Sequence, residues 1–244
     1  MTVKAIDLLG FPGISAFSTL RDTDSPSEAY SGFSTCSYTG DSPAHYTGCR
    51  EELCQSLEIS ADKIVFPLQT HSLNVAIVTD PSAPLPDTDA IVTALPGVAL
   101  GIHTADCVPI VLADPENGVI AAVHSGWRGT AGNIAALTVD KMVETGADRQ
   151  KIVAAMGPCI CADCFEVGEE VAVHFNRFGT VNRTRTKPHV DLPATVAASL
   201  ESTGICRDRI SMPPACSRCN PADFFSARRL GTASGRTLTV IIRR

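Results

Sequence analysis

The sequence predicts an α+β fold, on three observations. Two apolar runs, Val98 to Ala113 and Gly118 to His124, meet at Asp114-Pro115-Glu116-Asn117-Gly118, a hairpin signal with turn residues in the gap. Segments of helical rather than alternating periodicity follow, chiefly Gly129 to Glu144 and Leu192 to Thr203. With 244 residues, 44% hydrophobic and 19% charged, the chain can also bury a full core. No repeat or linker divides it, so one domain over 1–244 is expected.

Residues 19–48 are rich in Ser, Thr, Asp, Gly and Tyr, and a loop of that length is either disordered or part of a binding site. Cys49 to Leu57 reads as a short helix with Leu53, Cys54 and Leu57 on one face. Lys63 to Leu68 and Val75 to Thr79 read as strands on either side of His71, and Asp80 to Asp87 as a proline-punctuated loop. In the hairpin, Pro115-Glu116 as the two-residue loop sets Cys107 opposite His124. Asn117-Gly118 as the turn sets Val111 opposite His124, and a bulge could shift either register. Gly129 to Glu144 carries Ile134, Leu137, Thr138, Lys141 and Met142 near helical spacing, with Gly146 placed to end it. Lys151 to Met156 reads as a buried strand and Val167 to Phe178 as a helix. Leu192 to Thr203 is a helix with Pro193 in its first turn, and Thr237 to Ile242 is a closing strand.

Bulk properties exclude several classes. The net charge is −6 with no basic run, which argues against a nucleic-acid partner. No apolar stretch reaches the length of a membrane span, and no basic then apolar leader opens the chain. Ten cysteines in a chain of this kind point to free or metal-bound thiols in a reducing cytoplasm rather than to a disulfide framework.

The chemistry concentrates in three segments: Gln69-Thr70-His71-Ser72, Thr104-Ala105-Asp106-Cys107-Val108-Pro109 and His124-Ser125-Gly126-Trp127-Arg128-Gly129-Thr130. They supply two imidazoles and one thiol, the donor set of a catalytic zinc with an open fourth position. The three lie too far apart for any local zinc motif, so the fold would have to assemble them. The same Cys107 and His124 would also serve as a nucleophile and its base, with Asp106 able to orient the imidazole only from a strand end or bulge. The turn Ser125 to Gly129 leads into a helix N-terminus whose N–H groups, with Gly126 and Arg128, suit an anion. Arg21, Arg50 and Arg228 lie beside loops and are either solvated surface or further substrate-binding candidates; Phe224 to Arg229, which joins aromatics to guanidinium, suits either a core edge or a stacked, anionic ligand. Cys161-x-x-Cys164 and Cys216-x-x-Cys219 form either a closed four-thiolate metal site or packed thiols.

These residues carry a resemblance to the YfiH family, known as laccase-domain or multicopper polyphenol oxidases and as purine nucleoside phosphorylase-type enzymes. It runs over nearly the full length, through Phe17-Ser18-Thr19, Gly40-Asp41, Gln69 to Ser72, Thr104 to Cys107, His124 to Gly129, Gly157-Pro158-Cys159-Ile160, Cys164-Phe165-Glu166-Val167, Asp191-Leu192, Phe225-Ser226 with Arg228-Arg229, and Gly235-Arg236. The resemblance implies a single layered α/β/β/α domain, a mixed β-sheet sandwich flanked by helices, and a zinc on His71, Cys107 and His124. It implies action on purine nucleosides: phosphorolysis of adenosine, inosine, guanosine or methylthioadenosine, and deamination of adenosine. Peptidoglycan-editing relatives suggest a Cys/His hydrolase of cell-wall precursors instead, and the oxidase label is a copper reading of the same site. A non-enzymatic module binding metal or nucleotide is the remaining class. A zinc suits deamination because it makes a nucleophile of water near neutral pH. Phosphorolysis would need Arg128 to hold phosphate and a donor to the leaving purine, for which Asp106 is the candidate. Multicopper oxidation is poorly served, since the chain has six histidines and only two fall in the motifs. The chain departs from the family pattern where Leu20 intervenes before Arg21 and Asp22-Thr23-Asp24-Ser25 replaces glycines. A second departure is Ser34-Thr35, which stands where Asn-Leu is usual.

Overall fold

The computed structural model describes residues 3–244. One sheet contains β1 (Ala5–Phe11), β2 (Ile14–Thr19), β3 (Ile64–Val65), β6 (Ala99–Thr104) and β13 (Thr237–Arg243), in the spatial order β1-β2-β13-β6-β3. The other contains β4 (Val75–Ile77), β5 (Ala90–Thr93), β7 (Val108–Asp114), β8 (Val119–Ser125), β9 (Val153–Met156) and β12 (Ile210–Ser211), in the order β12-β9-β7-β8-β5-β4. Both sheets are mixed: their interiors are antiparallel, and β3, β4 and β12 add parallel edges. A small ribbon pairs β10 (Val181–Asn182) with β11 (His189–Val190). The helices are α1 (Pro43–Leu57), α2 (Trp127–Ala131), α3 (Ile134–Glu144), α4 (Glu169–Ala172), α5 (Leu192–Ser202) and α6 (Ala227–Leu230).

Alternation along the central strands builds the layers. In β7, Ile110 and Leu112 pack with Ile134, Val139 and Met142 of α3 and Val196 and Leu200 of α5. Their neighbours Val111 and Ala113 point the other way, onto Leu100 and Ile102 of β6 and Ile241 of β13. On the far face of the first sheet, Leu238, Val240 and Ile242 meet Leu53 and Leu57 of α1. The layers are therefore α/β/β/α, as expected. Strands covered on both faces read as continuous apolar runs rather than as alternation. That same continuity conceals where one strand ends and the next begins.

The expected run from Val98 to Ala113 is accordingly not one strand. It divides into β6 in one sheet and β7 in the other, and the chain crosses between them at Ala105-Asp106-Cys107, with Asp106 in the left-handed region at φ 88°. Neither expected hairpin register holds: Pro109 stands opposite His124 and Asp114 opposite Val119. The reason is a four-residue loop, 115–118, organised by Asp114. Its Oδ1 accepts from the N–H groups of Glu116 (3.0 Å) and Asn117 (3.1 Å), and its carbonyl accepts from Gly118 (2.8 Å), which takes a φ of +69°.

The helix expected over Gly129 to Glu144 starts earlier, at Trp127, and breaks at Gly132-Asn133, where Asn133 is left-handed at φ 61°. The one expected over Val167 to Phe178 is a single α-turn continued as a tight 3-10 segment, Val173–Phe178. The strands expected around His71 shrink to β3 and β4, because most of that stretch is loop. The helix expected from Cys49 begins at Pro43, capped by Ser42. Strands β1, β2, β5, β10, β11 and β12 have no counterpart among the sequence expectations.

Residues 20–42 are irregular, and one side chain organises them. Arg21 is fully buried. Its guanidinium donates to the carbonyls of Ser31 (2.8 Å), Pro26 (3.1 Å), Pro221 (3.1 Å) and Glu28, and lies over the Phe225 ring at 4.6 Å. Backbone carbonyls thus take the place of a ligand around this residue. Burial, with Arg229 nearby, lowers its pKa to about 10.

Candidate metal centre

Three different parts of the sandwich deliver the donors. His71 comes from the loop between β3 and β4, Cys107 from the crossing between the sheets, and His124 from the end of β8. Their ligand atoms all lie within 4.8 Å of one another. The Cys107 Sγ to His71 Nε2 distance is 3.8 Å, and the two imidazoles meet edge to face with centroids 4.7 Å apart. A tetrahedral zinc with Zn–S of about 2.3 Å and Zn–N of about 2.1 Å needs S and N about 3.6 Å apart. The donor set fits that ion.

Asp89, at the N-terminal edge of β5, organises two of the three ligands, and no sequence reasoning singled it out. It is fully buried. Its Oδ1 accepts from His124 Nδ1 (2.6 Å) and the His71 N–H (3.0 Å). Its Oδ2 accepts from the N–H groups of Thr70 (3.1 Å) and Ser72 (2.7 Å) and from Ser72 Oγ (2.9 Å). With Nδ1 donating to the carboxylate, Nε2 of His124 is the atom left for a metal. The turn that presents three N–H groups to one carboxylate has His71 in the left-handed region at φ 65°, a conformation His adopts more readily than most residues. The only sequence signal was an acid just ahead of the apolar run Ala90-Ile91-Val92, and such an acid usually faces solvent.

Electrostatics follow from this geometry. Burial alone would raise the Asp89 pKa. The hydrogen bond and charge of His124 and the N–H groups of Thr70 and Ser72 outweigh it and hold the carboxyl well below its usual range. Burial likewise pushes the Cys107 thiol up, and the His124 charge with hydrogen bonds from both histidines reverses this, to about 6. Burial pushes His124 down, and the Cys107 thiolate and Asp89 lift it to about 9. Without metal, the pair is a thiolate beside an imidazolium. A cation would take the proton's place.

Close packing lets the ligands approach. A Cβ on buried Gly126 would meet His71 Cδ2 at 2.6 Å and Cys107 Sγ at 3.2 Å. Gln69, two residues before His71, clamps its loop to β6 by a reciprocal pair with the His103 backbone, at 2.8 and 2.9 Å. His103 itself is buried against Phe66, with Nε2 2.8 Å from Thr35 Oγ1. Burial and the nearby charges of Arg50 and Arg236 lower its pKa to about 3.

The other expected site residues are dispersed. Asp106 adjoins Cys107 in sequence, but its carboxylate accepts from Ser217 Oγ (2.7 Å) and from the Arg228 N–H at the start of α6 (2.7 Å). Arg128 is exposed with its guanidinium over the Trp127 ring, and α2 is only five residues long. Arg228 is exposed and donates to the Glu166 carbonyl. Arg50 donates to the Thr35 carbonyl and stacks near Phe66 and Tyr46; with Tyr38, Phe66, Leu68 and His103 it lines a cavity of about 340 Å³. Arg21 is buried among carbonyls, as described. Among the described residues, metal-capable donors form two clusters, this one and Cys161, Cys164, Cys216 and Cys219. His45 pairs with Asp41 and His189 Nδ1 with the Lys187 carbonyl, while His174 lies against Trp127.

The chain is 44% identical to an adenosine deaminase from an unknown prokaryotic organism, over 95% of each chain. It is 38% identical to a purine nucleoside phosphorylase from Deinococcus radiodurans, over 99% of this chain and 94% of that one. Its fold superimposes on the crystal structure of the hypothetical protein YfiH of Bacillus licheniformis with a TM-score of 0.88 at 25% identity, covering 95% of this chain and 93% of that one. Residues 15–244, which hold all three donors, match the model of the multi-copper polyphenol oxidoreductase laccases. The chain belongs to that family, the one whose solved members carry the YfiH fold.

Proposed function

We propose that this protein is a zinc-dependent purine nucleoside enzyme. It cleaves adenosine, inosine, guanosine or methylthioadenosine with phosphate and deaminates adenosine. The observation that carries the reading is the convergence of His71, Cys107 and His124 around one ion-sized space, with Asp89 leaving Nε2 of His124 to ligate. The names of the two relatives supply the substrate class.

His71, Cys107 and His124 would hold the zinc, which when bound would supply Lewis acidity and lower the pKa of a water toward neutral. Asp89 holds the His124 tautomer and the His71 turn, and Gly126 keeps the approach clear. Arg50, with Tyr38 and Phe66, offers the purine a face on which to stack, and Arg128 and Arg228 offer phosphate exposed cations. Asp106 acts by positioning the Cys107 corner, its oxygens being engaged by Ser217 and Arg228. Arg21 belongs to the fold rather than to the substrate.

Chromatography of adenosine incubated with zinc-loaded protein tests this. Adenine released only with phosphate supports phosphorolysis, and inosine formed without phosphate supports deamination. A zinc-replete protein that turns over no purine nucleoside sinks the purine reading. Cleavage of cell-wall peptides by that same protein would favour the hydrolase.

A further inference from the structure

We infer that Cys161, Cys164, Cys216 and Cys219 bind a second zinc, in a closed four-thiolate site that braces the Cys107 corner. Their four sulfurs lie within 4.8 Å of one another, although the two pairs are far apart in sequence. The Cys164 to Cys219 edge is 3.5 Å. A tetrahedron with Zn–S of about 2.3 Å has edges of about 3.8 Å, so the four atoms already approximate its corners.

The backbone around them is built for thiolates. Each pair caps a tight turn: the Cys164 N–H donates to the Cys161 carbonyl at 3.0 Å, and the Asn220 N–H to that of Cys216 at 3.2 Å. The Cys161 N–H donates directly to Cys216 Sγ at 3.3 Å, linking the two turns through a sulfur. Beside them a parallel bridge joins Cys159 to Cys216, with the Ser217 N–H donating to the Cys159 carbonyl at 3.0 Å. Four thiolates around a divalent ion leave two negative charges, and Arg218, between Cys216 and Cys219 in sequence, brings a positive charge near Cys164. Three of the sulfurs belong to half-buried residues and Cys219 to an exposed one, so the ion can enter from the surface. With four protein ligands there is no open position, and the role is structural.

What it supports is the first site. Ser217, between Cys216 and Cys219, donates to Asp106 Oδ1 at 2.7 Å, and the Ile160 N–H donates to the Asp106 carbonyl at 2.9 Å. Both turns of the four-cysteine cluster are therefore tied to the residue before Cys107. This inference does not depend on the purine reading.

Elemental analysis of the purified full chain decides it. The expectation is about two zinc ions per chain in the wild type. One should remain in Cys107→Ala, and one in the double variant Cys216→Ser/Cys219→Ser. One zinc in the wild type that survives Cys107→Ala and is lost in the double variant would also support the inference, while removing the metal from the proposed active centre. If the double variant does not fold, cobalt substitution of Cys107→Ala replaces it: intense thiolate-to-cobalt charge transfer from four sulfurs is expected. Absence of that absorption, zinc content unchanged by the double substitution, iron in place of zinc, or a Cys164–Cys219 disulfide in non-reduced peptides overturns the assignment.

Discussion

Asp89→Asn is the sharpest test of how the metal centre is held. The substitution keeps the side-chain volume and replaces one acceptor oxygen by a donor. Five donors now converge on the two oxygens, two on Oδ1 and three on Oδ2. The less damaging amide orientation keeps oxygen at the Oδ2 position and turns NH2 toward the His71 N–H and His124 Nδ1. The His71 N–H then loses its acceptor, at about 1–3 kcal/mol. His124 can accept from the amide only by moving its ring proton to Nε2, the atom needed by the metal, and a protonated nitrogen cannot ligate. Zinc affinity should fall by about 10–100-fold or more, since loss of an outer-shell partner alone has that effect. Competition with a chromophoric chelator reads the affinity, and melting of the metal-free protein reads the stability. An Asp89→Asn variant that binds zinc within about twofold of the wild type and melts at the same temperature would refute the reasoning, for the carboxylate would then be incidental.

Gly126→Ala should leave the metal-free fold nearly unchanged, because φ at this position is −69°, yet displace His71 and lower zinc per chain; wild-type zinc content would show that the loop yields. Arg21→Lys should lower the denaturation midpoint by an equivalent of about 3 kcal/mol, as an ammonium has three donors for four carbonyls, while leaving zinc content intact. In metal-free protein, iodoacetamide should modify Cys107 with a midpoint near pH 6 rather than about 8.5. The sign follows from a depressed folded pKa: the thiolate's contribution to stability is complete above the unfolded value and is lost as pH falls through about 6. Zinc should block the modification, and peptide mass mapping checks the position.

His71, Cys107 and His124 were legible in the sequence because each is a strong ligand in a setting of small residues. Asp89 was not legible, since a carboxylate beside a strand is ordinarily solvated and only the three-dimensional arrangement buries it. The division of Val98 to Ala113 was hidden for a different reason. Strands buried on both faces erase the alternation that would mark a boundary, and the left-handed corner at Asp106 carries no glycine to announce it. The hairpin register turned on the Asp114 side chain completing a four-residue loop, an effect invisible to any count based on two-residue turns. Arg21 looked like a ligand for an anion because sequence cannot distinguish a guanidinium facing phosphate from one facing carbonyls.

The crossing at Ala105–Cys107 also bears on how the molecule assembles. One donor arrives on the crossing itself, another on the loop running from the edge of the first sheet to the edge of the second, and the third on an interior strand of the second. The trio cannot exist in either sheet alone, and comes together only when the sheets have docked. An ion that binds only the docked form draws the assembly equilibrium toward it by mass action. Zinc supply would then govern how long nascent chains dwell with their inner sheet faces open to aggregation, long before any substrate arrives.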